Sequence, residues 1–299
     1  MNLLGKSALV AATAAASCVA YGALIEVRAF QLRRVQVPVL PSGQSPIRIL
    51  QLSDLHLLPK QLTKKAWLRT LADTAPDFII NTGDNLASTE ALPSLQQALS
   101  PLAGIPGVFV LGSNDRYAPQ AVNPLKYLAE RRSHQAAPLL PTNELVELLT
   151  GLGWSNAEEQ RLDFQINGSR IHVRGCGDAH IDLDDYQSVM GAIPADSDLM
   201  VAVTHAPYRR VLDAMVDDGA DLIVAGHTHG GQVCLPGGHA LTTNCDLPLA
   251  QARGLSRHRH GPQSAYLNVC AGLGTSPYAP YRFCCPPEAT LLTLVPRED

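Results

Sequence analysis

The sequence lacks features that mark several common classes of protein. Its 299 residues carry a net charge of −4 with histidine counted as neutral, so it shows no sign of the basic surface of a nucleic-acid-binding domain, and no nucleic-acid partner is expected. Its seven cysteines are an odd number without C-x-x-C spacing, which argues against a disulfide framework and a zinc ribbon. A hydrophobic content of 46% nevertheless predicts a chain that folds around a substantial core.

Five short apolar runs each end in polar residues of the kind that bind metals. The runs are short and rich in β-branched residues, which is typical of buried strands. Because open α/β sheets place their sites at the carboxyl ends of strands, we expect these polar residues to lie together. The five segments are Leu52-Ser-Asp54-Leu-His56, Thr82-Gly-Asp84-Asn85, Leu111-Gly-Ser-Asn114-Asp115, Val203-Thr-His205-Ala-Pro207 and Ala225-Gly-His227-Thr-His229.

The pattern between these segments predicts an α/β fold. Apolar residues at helical spacing indicate helices over 62–74, 92–102 and 145–152, and Asn167-Gly168 is typical of a hairpin turn between two strands. The stretch 118–140 is rich in proline, arginine and glutamine, which favours an excursion near the mouth of the site. Strand-like pieces follow residue 226. We therefore expect two sheets packed face to face with helices outside.

The N-terminal segment contains an uncharged, alanine-rich run from Ser7 to Ile25. Its length is about that of a helix that crosses a bilayer, so we expect a single N-terminal anchor that associates the protein with a membrane. A signal-like segment is the alternative, because Lys6 precedes the run and small residues abound within it. The expected division is an anchor or signal-like segment at 1–30, a linker at 31–46 and a catalytic domain at 47–299.

The charges around this run favour one orientation in the membrane. Arg28, Arg33 and Arg34 follow it, whereas Lys6 and the amino terminus precede it. Positive residues tend to remain on the cytoplasmic side of a membrane. The sequence therefore favours a cytoplasmic rather than an exported catalytic domain.

The candidate ligands are a mixed set of nitrogen and oxygen donors. Such a set suits Mn, Fe, Zn or Co better than an all-oxygen calcium site, and seven candidates exceed one tetrahedral zinc site. Two ions that share a carboxylate fit better, since such a pair can hold both a hydroxide nucleophile and a phosphoryl group. The seven residues are Asp54, His56, Asp84, Asn114, His205, His227 and His229.

At this point the chain resembles a known family. The ordered motifs D-x-H, G-D, a Gly-Ser-Asn-Asp segment, H and G-H-x-H are similar to those of the calcineurin-like metallophosphoesterase superfamily. The sequence from His227 to Gln232 and the C-terminal tail resemble its YaeI/YkuE-type membrane-associated branch. The resemblance implies a four-layer α/β/β/α sandwich of two mixed sheets. It also implies that Asp54, His56, Asp84 and His229 hold one metal, and that Asp84, Asn114, His205 and His227 hold the other, with Asp84 bridging.

The third motif departs from the family pattern. Relatives have Gly-Asn-His-Asp or Gly-Asn-His-Glu, and here the sequence is Gly112-Ser113-Asn114-Asp115. Either Ser113 takes the place of the metal-binding asparagine or the motif is displaced by one residue. An amide carbonyl is the better ligand, so we expect Asn114 to bind the metal. Asp115 then stands where many relatives have the histidine that approaches the leaving group, and we treat Asp84, Asn114 and Asp115 as catalytic.

The expected function is that of a dinuclear-metal-dependent phosphoesterase. It would hydrolyse a phosphodiester or pyrophosphate bond by a metal-bridging hydroxide, on a lipid-linked or membrane-near substrate. Two alternative hypotheses are a metal-binding scaffold or interaction protein with weakened catalysis and a nuclease of the same superfamily. The candidate substrate contacts are Arg116, Tyr117, His180, Tyr208 and Arg282.

Overall fold

Two six-stranded sheets form the centre of the domain. The computed structural model describes residues 3–121 and 137–297. The first sheet has the strand order β1-β14-β2-β3-β4-β5, and its strands β2 to β5 run parallel, with β14 antiparallel to β2 and parallel to β1. In chain order these strands are β1 (Gln31–Leu40), β2 (Ile47–Leu52), β3 (Phe78–Asn81), β4 (Gly107–Phe109), β5 (Trp154–Asn156) and β14 (Glu288–Pro296).

The second sheet has the order β12-β13-β9-β8-β7-β6. Strands β7, β8, β9 and β13 run parallel, and antiparallel hairpins close both edges. The strands are β6 (Gln160–Ile166), β7 (Ser169–Gly175), β8 (Leu199–Val203), β9 (Leu222–Ala225), β12 (Gly254–His260) and β13 (Gln263–Val269). A small separate hairpin pairs β10 (Cys234–Leu235) with β11 (His239–Ala240).

Helices cover the outer faces of both sheets. On the first sheet, Leu68, Leu95 and Leu145 pack from three helices into one buried cluster, and on the second Leu212 packs against Ile223. Between the sheets lies a third cluster of apolar side chains. The layers are therefore helix, sheet, sheet, helix, which confirms the predicted four-layer sandwich. The helices are α1 (Leu3–Leu24), α2 (Leu62–Thr70), α3 (Leu92–Leu99), α4 (Ser113–Arg116), α5 (Thr142–Gly151) and α6 (Arg209–Asp217).

The N-terminal run that we expected to be a membrane anchor is helical and forms α1. Within the parts of the chain that the structure describes, none of the helices has both the length and the apolar character to cross a membrane. The membrane anchor expected at 1–30 stays a prediction.

The stretch that we expected to be a linker is part of the first sheet. Strand β1 pairs with β14 over nearly its whole length, and Arg33 makes a bidentate contact with the buried Glu288 on that strand. Just before β1, the buried carboxylate of Glu26 accepts the backbone N–H groups of Cys284 at 3.0 Å and Cys285 at 2.5 Å. The N-terminal segment is thus hydrogen-bonded to the catalytic domain.

Most of the other predicted elements are present. The hairpin turn at Asn167-Gly168 joins β6 to β7, and both turn residues have positive φ, as such a turn requires. One of the strand-like pieces expected after residue 226, at 231–235, forms only a two-residue strand, because Gly231 ends a turn of 3-10 helix. Val233 makes an isolated bridge with Phe283, and Cys234–Leu235 pairs with β11. Residues 122–136 of the expected excursion lie outside the described residues.

Candidate metal centre

The candidate ligands meet at one edge of the two sheets. Asp54 and Asp84 follow β2 and β3, and His205 and His227 follow β8 and β9, so the carboxyl ends of strands from both sheets supply them. Backbone hydrogen bonds hold the loops together, with Asp54 N donating to the carbonyl of Gly83 at 2.9 Å. This is the placement that the sequence predicted.

Four of these residues form a compact cluster. The ligand atoms of Asp54, His56, Asp84 and His229 all lie within 4.8 Å of one another, so the four residues could hold a metal ion. The Nε2 atom of His56 lies 3.4 Å from Asp84 Oδ2, and His229 Nε2 lies 3.4 Å from Asp54 Oδ1. The two Nε2 atoms are 3.2 Å apart, so both rings point at the same place.

A second group meets the other side of Asp84. His205 Nε2 lies 3.6 Å from Asp84 Oδ2, and Asn114 Nδ2 donates to the same oxygen at 2.8 Å. The rings of His205 and His227 are 5.2 Å apart. The Asp84 carboxylate therefore lies between the two groups, in the position that a bridging ligand would take.

The chemistry of His205 fits a metal ligand. Its Nδ1 donates to the carbonyl of Thr82 at 2.6 Å, which fixes the tautomer that leaves the lone pair on Nε2. That Nε2 atom is buried and has no hydrogen-bond partner among the described residues. Buried polar atoms are seldom unpaired, so a cation in this place would complete the site.

The pKa values of the central groups reflect burial and a local excess of negative charge. Burial raises the pKa of the Asp54 carboxyl to about 6 and lowers the pKa of the His56 imidazole to about 4, so His56 is neutral at pH 7 and can donate a lone pair. Burial also lowers the pKa of His205, but the carboxylates of Asp84, Asp178 and Asp54 outweigh this and raise it to about 10. A site that favours protonation so strongly also favours a divalent cation.

Five of the candidate ligands have a backbone conformation that non-glycine residues rarely adopt. Each has φ between 38° and 69°, in the left-handed region. Such a conformation is unfavourable by on the order of 1 kcal/mol or more per residue and persists where a functional site requires it. The strain therefore supports a functional cluster. The five residues are Asp54, His56, Asp84, His227 and His229.

Two glycines allow the loops to approach closely. A Cβ atom at Gly112 would collide with Asp84 Oδ1 and the ring of His205. A Cβ atom at Gly226 would collide with Ser53 Oγ and with the carboxylate of Asp54. Both glycines are required by this close packing around the ligands.

Asp115 holds a loop together. Its buried carboxylate accepts the N–H groups of Asp84 at 2.8 Å, Asn85 at 2.7 Å and Gly112 at 3.1 Å. Burial and the nearby Asp84 raise the pKa of Asp115 to about 7. Since both oxygens are occupied by loop donors, Asp115 stabilises the loop that carries Asp84, and its expected catalytic role stays a prediction.

The expected substrate contacts fall into different environments. Arg116 pairs with Glu158, with its Nη2 atom 2.9 Å from Oε1. Tyr117 forms an isolated bridge with Leu139. His180 lies beside the cluster, with its ring centroid 4.5 Å from that of His227, and its Nδ1 is 3.0 Å from the hydroxyl of Tyr208. His180 and Tyr208 are thus next to the candidate metal ligands, whereas the Arg116 side chain is held by a carboxylate.

Arg282, which we expected to contact substrate, lies in the interior of the protein. Its side chain is fully buried. The guanidinium donates to the carbonyls of Gly274 at 2.7 Å, Ala271 at 2.8 Å and Gly272 at 3.1 Å, and to that of His229 at 3.3 Å. Because His229 Nδ1 is 3.2 Å from the same Gly274 carbonyl, Arg282 supports the backbone around a metal ligand.

Sequence reasoning missed Asp178, which is fully buried beside the cluster. Burial raises the pKa of the Asp178 carboxyl to about 6; the nearby His205 lowers this pKa and Asp84 raises it. The signal was present, because Asp178 follows strand β7 in a Gly-Cys-Gly-Asp segment, much as Asp84 follows β3 in Thr-Gly-Asp. His180 also follows it by two residues, which is the Asp-x-His spacing of Asp54 and His56.

The two residues of the altered third motif are expected to behave differently on substitution. Asn114 donates to Asp84 through both its backbone N–H and its side chain, whereas the hydroxyl of Ser113 only accepts from Asn114 at 3.3 Å. We therefore expect Asn114→Ala to lower turnover by about 10²-fold and to weaken the binding of one ion, and Ser113→Ala to change turnover less than about threefold. Steady-state rates and metal content of both variants test this. A large loss in Ser113→Ala with a normal Asn114→Ala would place the metal contact at Ser113.

Two sheets with carboxylates and histidines gathered at one edge define a metal-dependent phosphoesterase. The chain belongs to the calcineurin-like phosphoesterase family, whose sequence profile matches residues 47–231. This confirms the predicted superfamily and the predicted class of enzyme, a metal-dependent hydrolase of phosphoric ester bonds.

Three relatives indicate where the chain lies within the family. YpbG, an uncharacterized protein of Bacillus subtilis, is 27% identical over 195 residues, which cover 64% of this chain and 64% of YpbG. The uncharacterized metallophosphoesterase YkuE of the same organism is 23% identical over 87% of this chain and 83% of its own length. LpxG of Chlamydia trachomatis, a UDP-2,3-diacylglucosamine pyrophosphatase, is 26% identical over 82% of this chain and 83% of LpxG. The similarity to YkuE confirms the predicted branch.

Proposed function

We propose that this chain hydrolyses a phosphodiester or pyrophosphate bond with two divalent ions bound at the cluster. The observation that carries the proposal is the position of Asp84, whose Oδ2 atom lies 3.4 Å from His56 Nε2 on one side and 3.6 Å from His205 Nε2 on the other. A carboxylate between two sets of nitrogen donors is the arrangement that a two-ion centre requires. Asp54, His56, Asp84 and His229 would hold the first ion, and Asp84, Asn114, His205 and His227 the second.

The two ions would supply a hydroxide nucleophile at neutral pH and neutralise charge on the phosphoryl oxygens. The protein contributes a rigid donor set. Thr82 and Gly274 orient the rings of His205 and His229 through their carbonyls, and Asp115 fixes the loop that carries Asp84. Because these contacts are made within the protein, little reorganisation is needed when substrate binds.

His180 is the best candidate for a proton donor to the leaving group. Asp115 is engaged by loop N–H groups, whereas the His180 ring lies 4.5 Å from the His227 ring and contacts the Tyr208 hydroxyl. An imidazole also titrates nearer to neutral pH than an ordinary carboxyl, which suits general acid catalysis. We therefore assign proton transfer to His180 and the orientation of its ring to Tyr208.

The relative LpxG supports one substrate class. LpxG is a UDP-2,3-diacylglucosamine pyrophosphatase, so its substrate joins a nucleotide to an acylated sugar. We propose the same class here, a nucleotide diphosphate linked to a lipid, in which the pyrophosphate is the bond that is broken.

Metal analysis combined with a substrate panel tests the proposal. The purified protein should contain two equivalents of a divalent metal and should hydrolyse bis-p-nitrophenyl phosphate and a UDP-linked acyl sugar faster than p-nitrophenyl phosphate. Asp77→Asn is the matched control, since Asp77 is a carboxylate paired with Arg48 at the opposite end of β3 from Asp84. A protein that binds no metal after reconstitution, or that cleaves none of these substrates, would contradict the proposal.

A further inference from the structure

Asp178 is a buried carboxylate that none of the family's motifs includes. Its side chain is fully buried in the loop after β7, at the same sheet edge as His205 and His227. Its Oδ1 accepts the N–H of His180 at 2.8 Å. Its Oδ2 has no hydrogen-bond partner of normal geometry among the described residues.

An unpaired carboxylate oxygen in a protein interior is strongly unfavourable. Removal of an ionised carboxylate from water is compensated only when the group is paired with a cation or with hydrogen-bond donors. The neighbouring His205 also has an unpaired polar atom, because its Nε2 is buried and has no hydrogen-bond partner among the described residues. Two unsatisfied electron-pair donors on the same side of the site point to a cation.

The two proposed metal positions differ in the charge that the ligands supply. The first has two carboxylates, Asp54 and Asp84, whereas the second shares Asp84 and otherwise has only the neutral side chains of Asn114, His205 and His227. Divalent ions bind more tightly as anionic ligands are added. The second position therefore needs a further negative charge, and Asp178 is the buried carboxylate on that side.

We propose that Asp178 is an eighth residue of the metal centre and that its free oxygen stabilises the cation held by His205 and His227. The inference rests on the proposed two-ion function and assigns to the second position a carboxylate of its own. Asp178 is a positioning residue as well, because its other oxygen accepts the amide of His180.

The substitution Asp178→Asn tests this inference with little change in shape. Asparagine keeps an oxygen for the His180 amide and removes the charge. The affinity of one Mn²⁺ ion should fall by about 10- to 100-fold while the other stays bound, as measured by equilibrium dialysis against Mn²⁺ with elemental analysis. With a chelator present at pH 8, the variant should unfold at the same temperature as the natural protein or a higher one, because an unpaired buried charge has been removed.

Asp218→Asn is the matched control. Asp218 is another buried carboxylate of the second half of the chain, but it is fully paired, with the side chains of Arg174 and Tyr186 and with the amide of Gly191. Its substitution should lower the unfolding temperature in chelator and leave the affinity for both Mn²⁺ ions unchanged.

The outcomes separate this inference from the function on which it rests. If the natural protein binds two Mn²⁺ ions and Asp178→Asn binds both with the same affinity, the inference is wrong and the proposed function stands. If Asp178→Asn lowers the unfolding temperature in chelator as Asp218→Asn does, Asp178 is only structural. If the natural protein itself binds fewer than two Mn²⁺ ions, the proposed function fails and this inference fails with it.

Discussion

Asp84→Asn should lower turnover by at least about 10³-fold and leave less than one tightly bound ion per chain. The reason is the shared position of its carboxylate, which faces His56, His205 and Asn114 at once. Losing one electrostatic contact to a reacting centre lowers rates by about 10²- to 10³-fold, and this change would disturb both ions. Asparagine tolerates the positive φ of 56° at this position, so the backbone should remain in place.

Rates with a phosphodiester and metal content after dialysis measure the effect of Asp84→Asn. Its control is Asp77→Asn, which breaks a carboxylate pair with Arg48 and should keep full turnover and two ions. Circular dichroism should show that both variants are folded. Normal turnover of Asp84→Asn with two bound ions would show that Asp84 does not bridge.

Arg282→Met should lower the free energy of unfolding by roughly 3 kcal/mol or more. The substitution removes the hydrogen bonds from the guanidinium to the carbonyls of Ala271, Gly272 and Gly274, and a hydrogen bond that involves a charged group contributes about 1.5–3 kcal/mol. Loss of these bonds should also loosen His229, whose ring contacts the Gly274 carbonyl. Urea denaturation in the presence of a chelator measures the free energy of unfolding without any contribution from bound metal.

Arg259→Met is the control for Arg282→Met, because Arg259 is an exposed arginine on β12. It should change the free energy of unfolding by less than about 0.5 kcal/mol. If the Arg282→Met protein is stable and has a raised KM with a normal kcat, the result would instead support the substrate contact predicted from the sequence.

The fold and the core of the site could be predicted because both depend on local patterns. Short apolar runs identify the inner strands, and polar residues directly after them identify the ligands, since the carboxyl ends of parallel strands share one edge. Asp54, Asp84 and His205 each follow such a strand by two or three residues. Their proximity in the structure follows from sheet topology alone.

Other site features depend on long-range packing, which no local pattern carries. Arg282 has the sequence context of an exposed loop, and only the three-dimensional arrangement shows that backbone carbonyls surround its guanidinium. The same holds for Glu26, whose role is set by a contact with residues near the other end of the chain.

The position of β14 in the first sheet has a consequence for how the protein is made. This strand lies between β1 and β2, so the N-terminal strand has no sheet partner until the ribosome has released residues close to Pro296. During synthesis, the open edge of β2 and the whole of β1 are exposed to pairing with other chains. A nascent chain of this protein should therefore depend on holding chaperones until its last strand emerges, and a short C-terminal truncation should be more damaging than its length suggests.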